Sequence, residues 1–148
     1  VGRLTASSGA PYYLDTNCFI YYVEQVAPYM TVIDQLWDEV HAQQVRVITS
    51  EFTLLEALVK PFKEHNSSLE TAFRAILQTS PDVALIPITL PILERAARLR
   101  TTSGLKTPDA IHAATALDVG AAQFLTNDAG FRRVANLPVT LLDDLMAP

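Results

Sequence analysis

The stretch Tyr12-Tyr13-Leu14-Asp15-Thr16-Asn17 (YYLDTN, residues 12–17) decides how this chain is read. A short aromatic and apolar run favours a strand buried among neighbours. Aspartate is depleted in strands, and a buried carboxylate without partners is costly. A strand that ends on Asp15 therefore either caps the next helix or delivers an acid to a site. Asp15 alone leaves both readings open.

Working outward from it, the pattern alternates. Residues 11–15 read as a strand and 16–25 (TNCFIYYVEQ) as a short helix. Residues 29–44 place Val32, Ile33, Leu36, Trp37 and Val40 on one helical face. The β-branched run 45–49 (VRVIT) predicts a strand, and 50–60 a helix capped by Ser50 and stopped by Pro61. A helix over 67–79 opens with a capping box from Ser67 to Glu70. Residues 83–88 (VALIPI) predict a third strand, and 89–104 a helix closed by Gly104. Over 107–120, Thr107 reads as the cap, Pro108 as the first helical position and Gly120 as the end. Short strands at 123–126 (QFLT) and 139–142 (VTLL) flank the turn NDAGF. Strands separated by helices imply parallel pairing with helices on both faces. The expected fold class is therefore α/β, a three-layer sandwich around a central parallel sheet.

Composition bounds what such a sandwich can do. At 148 residues the chain is long enough for one domain with a real core, expected over residues 11–148. Residues 1–10 (VGRLTASSGA) carry no initiator Met and no apolar signal core, and read as a poorly ordered lead or an expression remnant. No apolar run approaches the roughly 18–20 residues of a membrane span. The single Cys18 excludes an internal disulfide; it reads as a small buried apolar residue in a reducing, cytoplasmic compartment. Net charge is −5, and the isoelectric point near 5.0 argues against bulk electrostatic binding to nucleic acid. A site that meets phosphate through cations is still open to such a chain.

Four acids suit that site. Asp15 closes the first strand, Glu56 lies on the helix after the second, Asp109 sits in the first turn of the 107–120 helix, and Asp128 follows the fourth strand. In an open parallel sheet the carboxyl ends of strands and the N-termini of helices share one edge, where ligands bind. Acids gathered there repel, and hard cations such as Mg²⁺ or Mn²⁺ take carboxylate oxygens while keeping waters. The strand would then end on Asp15 to supply a metal ligand. Each acid also has a plainer role: Asp109 favours its helix dipole and Asp128 its turn.

The blocks YYLDTNCFI, TSEFTLLEAL, TPDAIHAATAL and FLTNDAGF, in that order, resemble the PIN-domain nucleases, particularly the VapC-type toxins of bacterial toxin–antitoxin systems. The resemblance implies a PIN-like fold and metal-dependent hydrolysis of RNA phosphodiesters. It assigns Asp15, Asp109 and Asp128 to metal, with Glu56, rather than Glu51, as the fourth catalytic acid. Thr16, Asn17, Thr126 and Asn127 match residues that orient these acids or their waters. It also implies a homodimer, and a small antitoxin whose tail enters the acidic cleft. Lys106, Arg132 and Arg133 flank the acid loops and are candidates to meet RNA phosphates. His112 and Cys18 depart from the usual apolar residues; His112 shares the helix face of Asp109 and reads as packing or hydrogen bonding rather than metal ligation. Two other functions compete. A haloacid-dehalogenase-like phosphatase would need a second Asp where Asn17 stands, and a non-catalytic module would use the acids only to bind a basic tail.

Overall fold

Alternation of Tyr12 and Tyr13 across the first strand explains why both are fully buried: each faces a different core. The computed structural model describes residues 9–146. Strand β1 (Ala10–Leu14) lies at the centre of a five-stranded sheet with β2 (Val45–Ser50), β3 (Val83–Ile86), β4 (Gln123–Thr126) and β5 (Val139–Leu141). The order is β3-β2-β1-β4-β5, and all four pairings are parallel. Seven helices complete the described residues: α1 (Thr16–Val23), α2 (Met30–His41), α3 (Glu51–Lys63), α4 (Ser67–Arg74), α5 (Leu90–Ser103), α6 (Thr107–Asp118) and α7 (Leu142–Met146). The first core packs Tyr12 and Leu14 against Phe19, Leu36, Trp37 and Phe73. The second packs Tyr13 and Phe124 against Ile92, Ala110, Ala114 and Phe131. This is the expected three-layer α/β sandwich.

Chain order reverses around β1. From β1 the chain moves outward through β2 to β3, then returns to place β4 on the other side. The crevice between the carboxyl ends of β1 and β4 is therefore the switch point at which open α/β sheets bind ligands. Helix α6 is buried almost all round, from Ala110 to Ala116, because alanines let it approach its neighbours closely. That burial is what draws His112 into the interior.

Several element boundaries differ from the sequence expectation. Helix α3 runs through Pro61 to Lys63 rather than stopping there. Proline removes only one N–H near the helix end, and the Lys60 and Pro61 carbonyls accept from Glu64 and Asn66 at 3.0 and 2.9 Å. The cap of α4 is Asn66, not Ser67: its side chain accepts from the Leu69 amide at 3.0 Å. Glu70 is thereby displaced from a capping box and pairs with Arg74 at 2.8 Å instead. The expected 67–79 helix changes at Ala75 into a π-helical turn, Ala75–Thr79. Helix α6 begins one residue early, with Lys106 at the cap position, because the Lys106 carbonyl accepts from the Ala110 amide at 2.9 Å. Thr107 is then the first helical residue and Pro108 the second. The strand expected at 139–142 ends at Leu141, where Asp143 and Asp144 suit the first turn of α7. Ser50 and Gly104 act as expected, Ser50 accepting from the Phe52 amide at 3.0 Å and Gly104 taking φ +69°. The lead expected at 1–10 falls outside the described residues for 1–8, and β1 opens at Ala10.

Candidate active site

Asp15 caps its helix and also reaches across the switch point. It is the N-cap of α1, its Oδ1 accepting from the Thr16 amide at 2.8 Å. Its Oδ2 accepts from the Thr126 hydroxyl at 2.8 Å, a bond that spans the β1–β4 switch point. The residue is 8% exposed. Burial raises its pKa above the ordinary aspartate value, against the pull of His112, Thr126 and the Thr16 amide.

Asp109 comes to the same edge from α6. Its pKa is also raised, first by burial and then by repulsion from Asp15 and Asp128. Three acids from β1, α6 and the loop after β4 therefore share one field. Asp128 is exposed; its amide donates to the Thr126 hydroxyl at 3.1 Å, and its Oδ1 accepts from Gly130 at 2.8 Å, capping the 3₁₀ turn Ala129–Arg133. A Cβ on Gly130 would lie 3.0 Å from that Oδ1, so any larger residue there would push the Asp128 carboxylate by a few tenths of an ångström.

Glu56 faces this edge from α3. Its Oε1 accepts from the Thr16 hydroxyl at 2.7 Å and meets His112 Nε2 at 2.5 Å. Burial works to raise the Glu56 pKa, but His112 and Thr16 together outweigh it and hold the group below the ordinary glutamate value. His112 is 1% exposed, and its Nδ1 lies 2.6 Å from the Tyr13 hydroxyl. Its Nε2 is 3.8 Å from Asp15 Oδ1.

The remaining sequence candidates divide. Thr16 and Thr126 hold acids directly. Asn17 is exposed. Asn127 turns from the acids and donates to the Tyr29 hydroxyl at 2.7 Å, which in turn donates to Asp143 at 3.2 Å. Glu51 accepts from the Ile88 amide at 3.1 Å, at the far side of the α3 start. Arg132 pairs with Asp144 at 2.7 Å, Arg133 donates to the Gly130 carbonyl at 3.1 Å, and Lys106 is exposed. Cys18 is buried and donates to the Leu125 carbonyl, as a small core residue does. What sequence reasoning missed is the Tyr13–His112–Glu56 chain. The signal was present, since Tyr13 sits two residues before Asp15 and His112 three after Asp109, but nothing in spacing alone pairs them.

The donor set is compatible with a hard cation. Asp15, Asp109 and Asp128 offer only oxygen, and burial together with repulsion from Asp15 and Asp128 pushes the Asp109 pKa up, a repulsion that a cation would relieve. Among the described residues no three acidic, histidine or cysteine side chains close into a cage. A hard ion that keeps several waters, as Mg²⁺ does, needs only one or two protein carboxylates.

A parallel sheet with Asp15 buried at its switch point is the architecture in which open α/β proteins bind ligands at the carboxyl edge. The sequence pattern of the PIN domain matches residues 12–137, and the chain belongs to the PIN-domain family. That membership favours the nuclease fold over the phosphatase alternative. Similar solved structures include a toxin–antitoxin complex from Klebsiella pneumoniae, 26% identical, covering 88% of this chain and 97% of its own, with a TM-score of 0.63. VapBC2 from Rickettsia felis bound to a promoter DNA fragment is 21% identical over 88% and 98%, with a TM-score of 0.69. VapC20 of Mycobacterium tuberculosis, described as a sarcin–ricin loop cleaving toxin, is 18% identical over 82% and 92%, with a TM-score of 0.67. These share the fold. No curated protein sequence matches the chain. Among the described residues no helix is long and apolar enough to cross a membrane.

Proposed function

We propose that this protein is a metal-dependent endoribonuclease of VapC type, with its site at the β1–β4 edge. One observation carries the reading: at the β1–β4 switch point of a PIN domain, Asp15 is buried and bound by Thr126, with Asp109 in the first turn of α6 and Asp128 after β4 near enough to act on each other electrostatically. Asp15, Asp109 and Asp128 would hold Mg²⁺ or Mn²⁺, which when bound supplies an activated water and neutralises charge on the leaving oxygen. Thr16 and Thr126 fix the rotamer of Asp15, and burial keeps bulk water from screening it. Glu56 presents a carboxylate to the attacking water. Single-stranded or looped RNA is the substrate class, because splayed nucleotides can bring a phosphate into an acidic edge. Arg132, Arg133 and Lys106, which flank the acid-bearing segments in sequence, would be the contacts to neighbouring phosphates.

A small antitoxin with a basic tail is the proposed partner, since the tail would neutralise the same acids. A homodimer is the proposed assembly. Exposed Leu55, Val59 and Phe62 on one face of α3 supply apolar surface for a protein partner. The test is cleavage-site mapping on total cellular RNA with Mg²⁺ or Mn²⁺ and a chelator control. Metal-dependent cuts at discrete positions support the reading; RNA bound but uncut in Mn²⁺ would favour the binding-module alternative.

A further inference from the structure

Glu56 is aimed by a chain of hydrogen bonds that begins at the start of its own helix. The Ser50 amide donates to the Tyr13 hydroxyl at 3.2 Å. That hydroxyl lies 2.6 Å from His112 Nδ1, and His112 Nε2 lies 2.5 Å from Glu56 Oε1. Because Nε2 faces a carboxylate, it must carry a proton and donate it. Each link is rigid. Tyr13 and His112 are 0% and 1% exposed; the Tyr13 ring stacks on Phe124 with centroids 5.0 Å apart and 2° between planes. Phe52 meets the imidazole edge-on at 5.8 Å. The Thr16 hydroxyl is the second donor to the same Oε1. Among the described residues no donor reaches Oε2.

We propose that His112, anchored by Tyr13, is a positioning residue: it holds Glu56 by Oε1 so that Oε2 faces the acidic edge. A side chain with three rotatable bonds and partial exposure would otherwise sample many rotamers. The arrangement joins β1, which leads directly into Asp15, to α3 and α6, which carry Glu56 and Asp109. The consequence for cleavage rests on the nuclease reading; the consequence for the imidazole does not.

Two measurements test it. In protein labelled with ¹⁵N-histidine at neutral pH, the His112 ring shows a protonated Nε2, and Tyr13→Phe shifts its Nδ1 resonance. A ring with bare Nε2 overturns the proposal whether or not RNA is cut. In single-turnover RNA cleavage with Mn²⁺, His112→Leu lowers the rate by about 10–100-fold, the range for loss of a partner that orients a site ligand. The apparent RNA affinity changes less than about threefold, since the substitution removes orientation rather than a substrate contact. His112→Gln, which retains a donor toward Glu56, recovers part of that loss. In the Glu56→Gln background, adding His112→Leu lowers the rate by no more than about threefold, because the two residues act as one unit. Full additivity, or His112→Gln as slow as His112→Leu, overturns the proposal. If His112→Leu fails to fold, Tyr13→Phe replaces it, with a smaller loss and the same non-additivity. Absence of cleavage by the wild type would overturn the nuclease reading, and the ring spectrum would then decide the positioning claim by itself.

Discussion

Thr126→Val keeps the shape of a side chain and deletes one hydroxyl at the switch point. That hydroxyl donates to Asp15 Oδ2 at 2.8 Å and accepts from the Asp128 amide at 3.1 Å, and Thr126 has 0% exposure. A hydrogen bond to a charged group contributes about 1.5–3 kcal/mol. Asp128 is exposed, so water can take over its amide, and the Asp15 bond dominates the loss. The expected destabilisation at pH 7 is about 2–3 kcal/mol, a fall in Tm of roughly 5–10 °C for a domain of this size. The pH dependence has a definite sign. Burial already raises the Asp15 pKa, and Thr126 opposes the rise; without the hydroxyl it goes higher. A carboxyl with a raised folded pKa binds more protons when folded, so it weakens the fold as pH climbs from the unfolded value through the folded one. The penalty of the variant is therefore smaller near pH 4 than at pH 7. Urea unfolding of both proteins at the two pH values measures it. Equal penalties at both, or less than about 0.5 kcal/mol at pH 7, would refute the claim that Thr126 stabilises an ionised Asp15.

Other outcomes follow from the same geometry. Asp109→Asn should raise the Tm in chelator at pH 7, because it removes a carboxyl whose pKa is raised by burial and by two like charges, and the gain should shrink as pH falls toward the ordinary aspartate value. Mg²⁺ or Mn²⁺ should stabilise the wild type more than this variant; equal shifts by differential scanning fluorimetry would argue against a shared cation site. Gly104→Ala should cost roughly 1–2 kcal/mol in thermal unfolding, since φ is +69° there while the new Cβ would meet only Arg133 Nη1 at an ordinary 3.7 Å. Arg132→Ala should change stability by less than about 1 kcal/mol, because its pair with Asp144 is exposed. If Arg132 meets an RNA phosphate, the same variant should flatten the salt dependence of RNA binding by about one ion.

Much of this architecture was legible because it is written in local periodicity. The α2 face of Val32, Ile33, Leu36, Trp37 and Val40 is buried as a period of 3.6 requires. Parallel pairing followed from helices between strands, and the order of the acids along the chain from the strands and helices that carry them. Boundaries were less legible where two signals compete over one residue. Asn66 and Ser67 are both good caps, and only the position of the Leu69 amide selects the first. Pro61 reads as a stop, yet a single missing N–H near a helix end is tolerated. The Tyr13–His112–Glu56 chain was not legible, because its members lie far apart in sequence and meet only after α6 is buried against the sheet. Asn127 shows the converse: its neighbours in sequence are Thr126 and Asp128, but its side chain serves Tyr29.

The central claim is that Asp15 and its companion acids form a metal-dependent ribonuclease site. Single-turnover cleavage of a single-stranded RNA by wild type and Asp15→Asn, with Mn²⁺ and with chelator, tests it most directly. Unfolding curves in the same buffers show that the variant is folded. The expected result is discrete cleavage by the wild type only with metal, and a loss of at least about a hundredfold in Asp15→Asn, the scale on which removing one preorganised electrostatic group acts. Cleavage by folded Asp15→Asn at a rate near that of the wild type, or wild-type cleavage that survives chelation, would contradict it.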